Sequence, residues 1–319
     1  MEYLISICIP AYRRTAFLKR LLDSLVIQRW KNFEVVITDD SPDEQVRDLC
    51  LPYMSRLSLS YSKNPIALGT PQNWNEAIRL AKAPWIKLMH DDDWFADENS
   101  LGSFVTALQQ NPEAAFIFSA YRNVQPDGRQ GPSVLLSSFW YRQLKHNAAV
   151  LFSHNLIGPP SVVLFKRRDS LEFDARLKWV VDFDFYIRYL AANKPLYIPK
   201  PLVLIGISES QVTRDSFMNP QVEVPENLLL LLKTGEGQLK NIFVFDAFWR
   251  LVRNLGLRGE ADIRQAGYRG AIPAPIAAMM RFQNSIPASL KRWGPASKFL
   301  MVLCYIFCRA ALMQPKSFS

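Results

Sequence analysis

Three carboxylates stand in a row in LMHDDDWF (88–95): Asp91, Asp92 and Asp93. Adjacent carboxylates repel one another unless a cation or hydrogen-bond donors neutralise them. Mg2+ and Mn2+ take oxygen ligands and often combine one or two carboxylates with substrate phosphates. Such a metal could bridge a diphosphate and neutralise the charge that develops as it leaves. The plainer reading is a solvated turn capping a following helix. A second cluster, TDDSPDE (38–44), offers Asp39 and Asp40 as acceptors for a nucleotide base or ribose, and also Ser41 or Asp43 as a helix N-cap. A third segment, WVVDFDFYIRYL (179–190), sets Asp182 near a helix start, where it could act as a general base on an acceptor hydroxyl. Asp184 and Arg188, four apart, can pair on one helix face, so a capping Asp182 beside a structural ion pair is the alternative.

The flanking pattern says what must position these groups. Short apolar runs (4–9, 33–38, 57–62, 85–89 and 114–120) read as strands, and they alternate with helical spacings over 16–29, 43–55, 71–82 and 97–110. Repeated β-α-β units imply an α/β fold, a Rossmann-like and mostly parallel sheet flanked by helices. Ligands of open α/β sheets bind beyond the carboxyl ends of the strands. Those ends carry Pro10-Ala11-Tyr12, Asp39-Asp40, Asn64 and His90 to Asp93. Residues 121–158 read as irregular, 162–165 as a short strand, 179–192 as a helix, 196–207 as strand, turn and strand, 208–226 as loop, and 227–319 as largely helical.

Taken together, SICIPAYRR, VVITDD, NPIALGTPQNWNEAI, LMHDDDWF and VVDFDFYIRY, in this order over about residues 4–215, resemble the family-2 inverting glycosyltransferases of the A-type fold. The resemblance implies transfer of a sugar from a nucleotide diphosphate to an acceptor hydroxyl. It implies that Pro10, Ala11, Tyr12 and Asp39 or Asp40 hold the nucleotide, that Asn64 and Gly69 line the donor pocket, and that Arg14 serves the same site. Asp91 and Asp92 would lie on the nucleotide-sugar side, Asp93 would bind Mn2+ or Mg2+, and Asp182 would be the catalytic base. Trp140, Ser161, Arg188 and Arg214 are candidates for acceptor or diphosphate contacts. The chain departs from the family's pattern in three places: His90 stands where an acid is common, Val181 where Glu usually precedes the base, and a later loop lacks the customary His, with Arg214 as its substitute.

The charge is uneven. The net charge is +9, and from Arg258 onward nine bases face only Glu260 and Asp262. A basic end rich in apolar residues fits an anionic membrane surface better than nucleic acid, and no nucleic-acid-binding motif is present. The apolar run 299–308 is too short to span a bilayer, which takes about 20 residues, and fits a helix lying in the interface or packed as core. The expected organisation is a catalytic domain over 1–225, with a nucleotide-sugar half (1–120) and an acceptor half (121–225), followed by a membrane-associating helical region over 226–319. Cys8, Cys50, Cys304 and Cys308 have no redox or zinc spacing and read as reduced thiols of a cytoplasmic protein, peripheral on the inner face of the membrane. The start, MEYLISICIPAY, reads as a strand rather than a leader. The resemblance points to a lipid-linked glycan acceptor in bacterial surface polysaccharide synthesis, O-antigen or capsule. Two other readings compete: a nucleotidyltransferase, disfavoured by the absence of glycine in SICIPAYRR, and a non-catalytic membrane-associated nucleotide-binding module.

Overall fold

A computed structural model describes residues 4–207 and 217–313. The chain forms two compact units, one from 1–146, 156–177 and 184–211, the other from 147–155, 178–183 and 212–319.

The first unit carries β1 (Ile5–Ala11), α1 (Thr15–Val26), β2 (Phe33–Asp39), α2 (Gln45–Cys50), β3 (Leu59–Lys63), α3 (Gln72–Leu80), β4 (Trp85–Leu88), β5 (Trp94–Phe95), α4 (Ser100–Gln110), β6 (Phe116–Val124), β7 (Gln130–Val134), α5 (Ser138–His146), β8 (Val163–Lys166), most of α6 (Val181–Leu190), and β9 (Pro195–Gly206). The sheet order is β3-β2-β1-β4-β8-β6-β9-β5, with β7 paired to β6. Strands β3, β2, β1 and β4 are mutually parallel, as expected. Beyond β4 the sheet becomes mixed, because β8 runs antiparallel to both β4 and β6. The central strands are apolar along their length because helices cover both faces, so they show runs rather than alternation. Helix α1 buries Leu18, Leu21, Leu22 and Leu25, the 3–4 spacing of a helix with one face on a core. Each such leucine contributes roughly 1.5–3 kcal/mol.

Three local expectations are corrected. The stretch 121–158 is ordered: β6 runs on to Val124, turns into β7, and α5 follows. Pro195–Gly206 is one strand, not two, and its prolines are absorbed as irregularities in the pairing with β6 between Ser119 and Tyr121. The helical region begins at Pro220 rather than 227, with Asn219 accepting from the Gln221 N–H as N-cap; residues 208–216 lie outside the described part.

The second unit is helical, with α7 (Pro220–Thr234), α8 (Ile242–Asn254), α9 (Glu260–Gln265), α10 (Ala274–Asn284), α11 (Ala288–Arg292) and α12 (Gly294–Met313). Helix α8 buries Val244, Phe245, Phe248, Trp249 and Val252. Trp249 ties its neighbours together: its indole N–H donates to Ser297 Oγ of α12 at 3.0 Å, and its carbonyl accepts from Gln283 of α10 at 2.9 Å. No helix among the described residues is long and apolar enough to cross a membrane.

Candidate active site

Because β1, β2 and β4 are parallel and in register, their carboxyl ends share one edge of the sheet. The strand order reverses direction at β1, and the crevice beside it is where such folds bind ligands. The chain leaves β1 through a turn in which Arg13 takes a positive φ of 62° and donates its N–H to Ser41 Oγ at 2.7 Å. A non-glycine residue in that conformation is uncommon, and here it aims the next residue. Arg14, at the start of α1, crosses to the acidic turn, where Nη1 meets Asp92 Oδ2 at 2.9 Å, Nε meets Asp91 Oδ2 at 3.3 Å, and Nη2 pairs with Asp91 Oδ1.

The turn after β4 concentrates the chemistry. One ligand atom from each of His90, Asp92 and Asp93 lies within 4.8 Å of the others. Asp93 is buried and accepts from Ser161 Oγ and, at 3.2 Å, from the Gly206 N–H. Burial, and then the charge of Asp92, push its carboxyl well above the usual range. Burial likewise raises Asp91 to about 7 against the pull of Arg14, and lowers His90 to about 4. These shifts oppose the charges that the groups would carry, and a bound divalent cation reverses the balance for the carboxylates. The His90 ring lies against Trp74, tilted by 39° with centroids 4.8 Å apart, and its Nε2 is buried without a hydrogen-bond partner. His90 Nδ1 lies 3.8 Å from Asp93 Oδ2, and an imidazole nitrogen beside carboxylates fits a Mn2+-type ion with mixed nitrogen and oxygen ligands. His90, a departure from the expected acid, therefore joins Asp93 as a candidate ligand, and Asp92 stands on the same side.

The clusters on β2 and β3 are tied into the scaffold. Asp39 accepts from the Ser41 N–H at 2.8 Å and the Tyr61 hydroxyl at 2.7 Å. Asp40 accepts from Asn64 at 2.7 Å and from the backbone N–H of Leu68 and Gly69 at 2.9 and 2.8 Å. Asn64 and Gly69 are thus held around Asp40, and Asn73 of α3 donates to the carbonyls of Ala11 and Thr38, joining the ends of β1 and β2. Pro10 and Ala11 end β1. Tyr12, next along, is 49% exposed, a ring available for stacking.

Other candidates take different positions. Ser161 is fully buried, so it offers no surface to an acceptor. Its hydroxyl instead accepts from the His90 N–H at 2.9 Å. Arg188 bonds Asp184 at 2.9 and 2.6 Å and the Glu172 carbonyl at 2.6 Å, the structural ion pair weighed as the alternative. Trp140 lies on α5 with Phe139 at a ring distance of 5.2 Å. Arg214 falls outside the described residues.

Asp182 belongs to the second unit. Its Oδ1 accepts from the Phe183 N–H and its Oδ2 from Asn155 Nδ2, both at 2.9 Å. Burial outweighs these donors and raises its carboxyl to about 7. Glu226 of α7 accepts from the N–H groups of Lys178, Trp179 and Val180 at 3.0, 2.8 and 3.1 Å, fixing the segment that leads into α6. Sequence reasoning missed Glu226 and Asn155, which lie far from Asp182 in sequence or outside any motif. It also missed Lys87, a lysine within an otherwise apolar strand, and that interruption was its only signal.

A sequence profile described as glycosyl transferase family 2 matches residues 6–171. The chain belongs to that family. Among curated relatives, an uncharacterized protein of Mycobacterium tuberculosis is 26% identical over 310 residues, covering 89% of this chain and 94% of the relative. WcaA of Escherichia coli K12, described as a colanic acid biosynthesis glycosyl transferase, is 27% identical over 218 residues, covering 66% of this chain and 75% of its own. Among solved structures, Staphylococcus aureus TarS 1–349 with UDP-GlcNAc superimposes with a TM-score of 0.66 at 16% identity, covering 99% of this chain and 94% of that one. The mannosyltransferase PcManGT of Pyrobaculum calidifontis, with GDP-Man and Mn2+, gives 0.54 at 16% identity, with coverages of 99% and 89%. These neighbours share the A-type fold with this family-2 glycosyltransferase.

Proposed function

We propose that this family-2 enzyme transfers a sugar from a nucleoside diphosphate to an acceptor hydroxyl with inversion, using a divalent metal. The observation that carries the reading is the convergence of His90, Asp92 and Asp93 at the end of β4, with Arg14 reaching into the same turn. A Mn2+ or Mg2+ ion bound there supplies charge neutralisation for the departing diphosphate. His90, Asp92 and Asp93 would hold the ion, and Arg14, paired with Asp91 and Asp92, adds positive charge on the diphosphate side of the turn. Tyr12, with Pro10 and Ala11, receives the base, and Asp39 and Asp40 keep the surrounding loops in place for it. Asp182 takes the proton of the acceptor hydroxyl as it attacks the anomeric carbon opposite the leaving nucleotide. A carboxyl titrating near 7 is matched to that task at neutral pH.

The acceptor is a lipid-linked glycan of surface polysaccharide synthesis. WcaA, whose description concerns colanic acid, supports this substrate class. So does the exposed face of the C-terminal helices. Helix α12 buries Ser297, Met301, Cys304 and Cys308 on one side and exposes Phe299, Val302, Ile306 and Phe307 on the other, next to Trp293. Lys291 and Arg292 directly precede Trp293 and α12 in sequence, and no acid follows Asp262. A basic helix with an apolar outer face suits the plane of an anionic membrane, the inner face of the cytoplasmic membrane in this reading.

The test is thermal stability with UDP, GDP, dTDP and CMP, each with and without Mn2+, for the wild type and Asp93→Asn. A metal-dependent rise with one nucleotide, absent in Asp93→Asn, supports the reading and names the base. No rise with any nucleotide overturns it.

A further inference from the structure

Lys87 is fully buried, yet neither binding nor transfer as described uses it. It sits on β4, three residues ahead of His90, with its ammonium 4.9 Å from the ring centre of Phe104 and 5.8 Å from that of Phe95. Phe104 and Phe95 shield it from water. Its Nζ donates to the carbonyl oxygen of Ser161, and Asp93 is the carboxylate whose charge acts on it. An ammonium this enclosed is costly unless it is paired and hydrogen-bonded, so its retention in the core asks for a reason.

Ser161 supplies one. While its carbonyl is gripped by Lys87, its hydroxyl accepts from the His90 N–H at 2.9 Å and donates to the Asp93 carboxylate. Two of the three grouped ligand-bearing residues therefore hang on one serine. The turn that carries the serine is itself fixed on its other side. Gly158 has a φ of +108°, a Cβ there would press into the Tyr121 ring, and its carbonyl accepts from the Tyr186 hydroxyl at 3.1 Å.

We propose that Lys87 is a positioning residue of the metal site, holding the Ser161 backbone so that the serine hydroxyl fixes His90 and Asp93 in ligating geometry. The assignment rests on the metal reading above. Groups that orient metal ligands typically carry a 10–100-fold effect on metal affinity when removed. Removing one partner of a buried polar pair can itself lower stability, so the melting temperature alone does not separate the two roles. A purely structural lysine, when replaced, lowers the melting temperature but leaves the Mn2+ affinity of the folded protein unchanged, whereas a lysine that positions ligands weakens Mn2+ binding in protein that is still folded.

The experiment measures Mn2+ affinity by electron paramagnetic resonance on the full chain, in the presence of UDP or of GDP, alongside the melting temperature. Lys87→Met is expected to bind Mn2+ at least about tenfold more weakly at a temperature where its melting curve shows it fully folded. Ser161→Ala is expected to lose a similar factor, and the double variant no more than the larger single loss, because both act through one serine. Unchanged affinity in Lys87→Met, or losses that multiply in the double variant, overturns the proposal. If Lys87→Met does not fold, Ser161→Ala and Lys87→Gln decide. The glutamine keeps a donor for the Ser161 carbonyl, so a tenfold loss in the first with retention in the second upholds the proposal, and any other combination overturns it. A wild type that binds no Mn2+ with either nucleotide refutes the metal reading and this proposal together, whereas equal binding by the wild type and Lys87→Met refutes this proposal alone.

Discussion

Asn155 donates its side-chain amide to Asp182 Oδ2 at 2.9 Å, and this bond favours the ionised form of a carboxyl that burial has raised to about 7. A base must be deprotonated to accept a proton, so kcat is expected to rise with pH to a plateau, with a midpoint near 7. Asn155→Leu removes the donor, and the midpoint moves upward. A profile flat from pH 5 to 8 in the wild type, or a midpoint in Asn155→Leu that does not rise, removes Asp182 from the role of base.

The same carboxyl makes a stability prediction. Its folded pKa lies above the unfolded value, so the stability it contributes is present below about pH 4 and is lost as pH rises through about 7. Asp182→Asn is therefore expected to melt higher than the wild type at pH 8 and level with it at pH 4, with a gain of up to about 4 kcal/mol. Transfer is expected to fall by about a thousandfold or more, within the upper range for a lost general base. Calorimetry at the two pH values, with product formation measured in parallel, separates these effects.

Asp40 concerns the scaffold. Asp40→Ala leaves the Leu68 and Gly69 N–H groups and the Asn64 amide without their acceptor. The expected loss is about 2 kcal/mol, read in urea or thermal melts. Asp40→Asn, which keeps one acceptor oxygen, is expected to lose less. Equal losses in the two variants would show that the loop does not depend on that carboxylate.

Arg14→Met removes the guanidinium shared by Asp91 and Asp92. With that positive charge gone from the diphosphate side of the turn, the donor KM is expected to rise roughly 10–100-fold while the fold persists. Isothermal titration with the preferred nucleotide checks it, and unaltered nucleotide affinity removes Arg14 from the donor site.

Membrane docking is tested with vesicles of phosphatidylglycerol and phosphatidylcholine. Each basic residue near an anionic surface contributes about 1 kcal/mol, so Lys291→Glu with Arg292→Glu is expected to cut co-sedimentation at least tenfold, and added salt to weaken wild-type binding. Wild type that stays in the supernatant at low salt rules out this surface as a membrane contact.

The parallel half of the sheet was legible because strands buried on both faces write themselves as apolar runs, as in Ile5–Ala11 and Phe33–Asp39. The acidic turn was legible because Asp91 to Asp93 are contiguous and follow such a run. Strand β5 was not, since two residues, Trp94 and Phe95, carry no periodicity and owe their state to pairing with Leu204 and Val203. Nor was the role of Ser161, because its bonds to Lys87 and His90 span 74 and 71 residues of sequence. His90 looked like a loss against the family's pattern, and only its place beside Asp92 and Asp93 gave it chemistry.

Gly206 closes β9 with its N–H on Asp93, and any Cβ there would collide with the Asp92 carbonyl oxygen. This has a practical consequence for engineers who replace the segment that follows residue 207. The splice must keep glycine at 206, because even an alanine scar at the junction would displace the acidic turn itself. A chimaera built one residue too early would then look like a failed swap of that segment when its defect lay in the turn of Asp92 and Asp93.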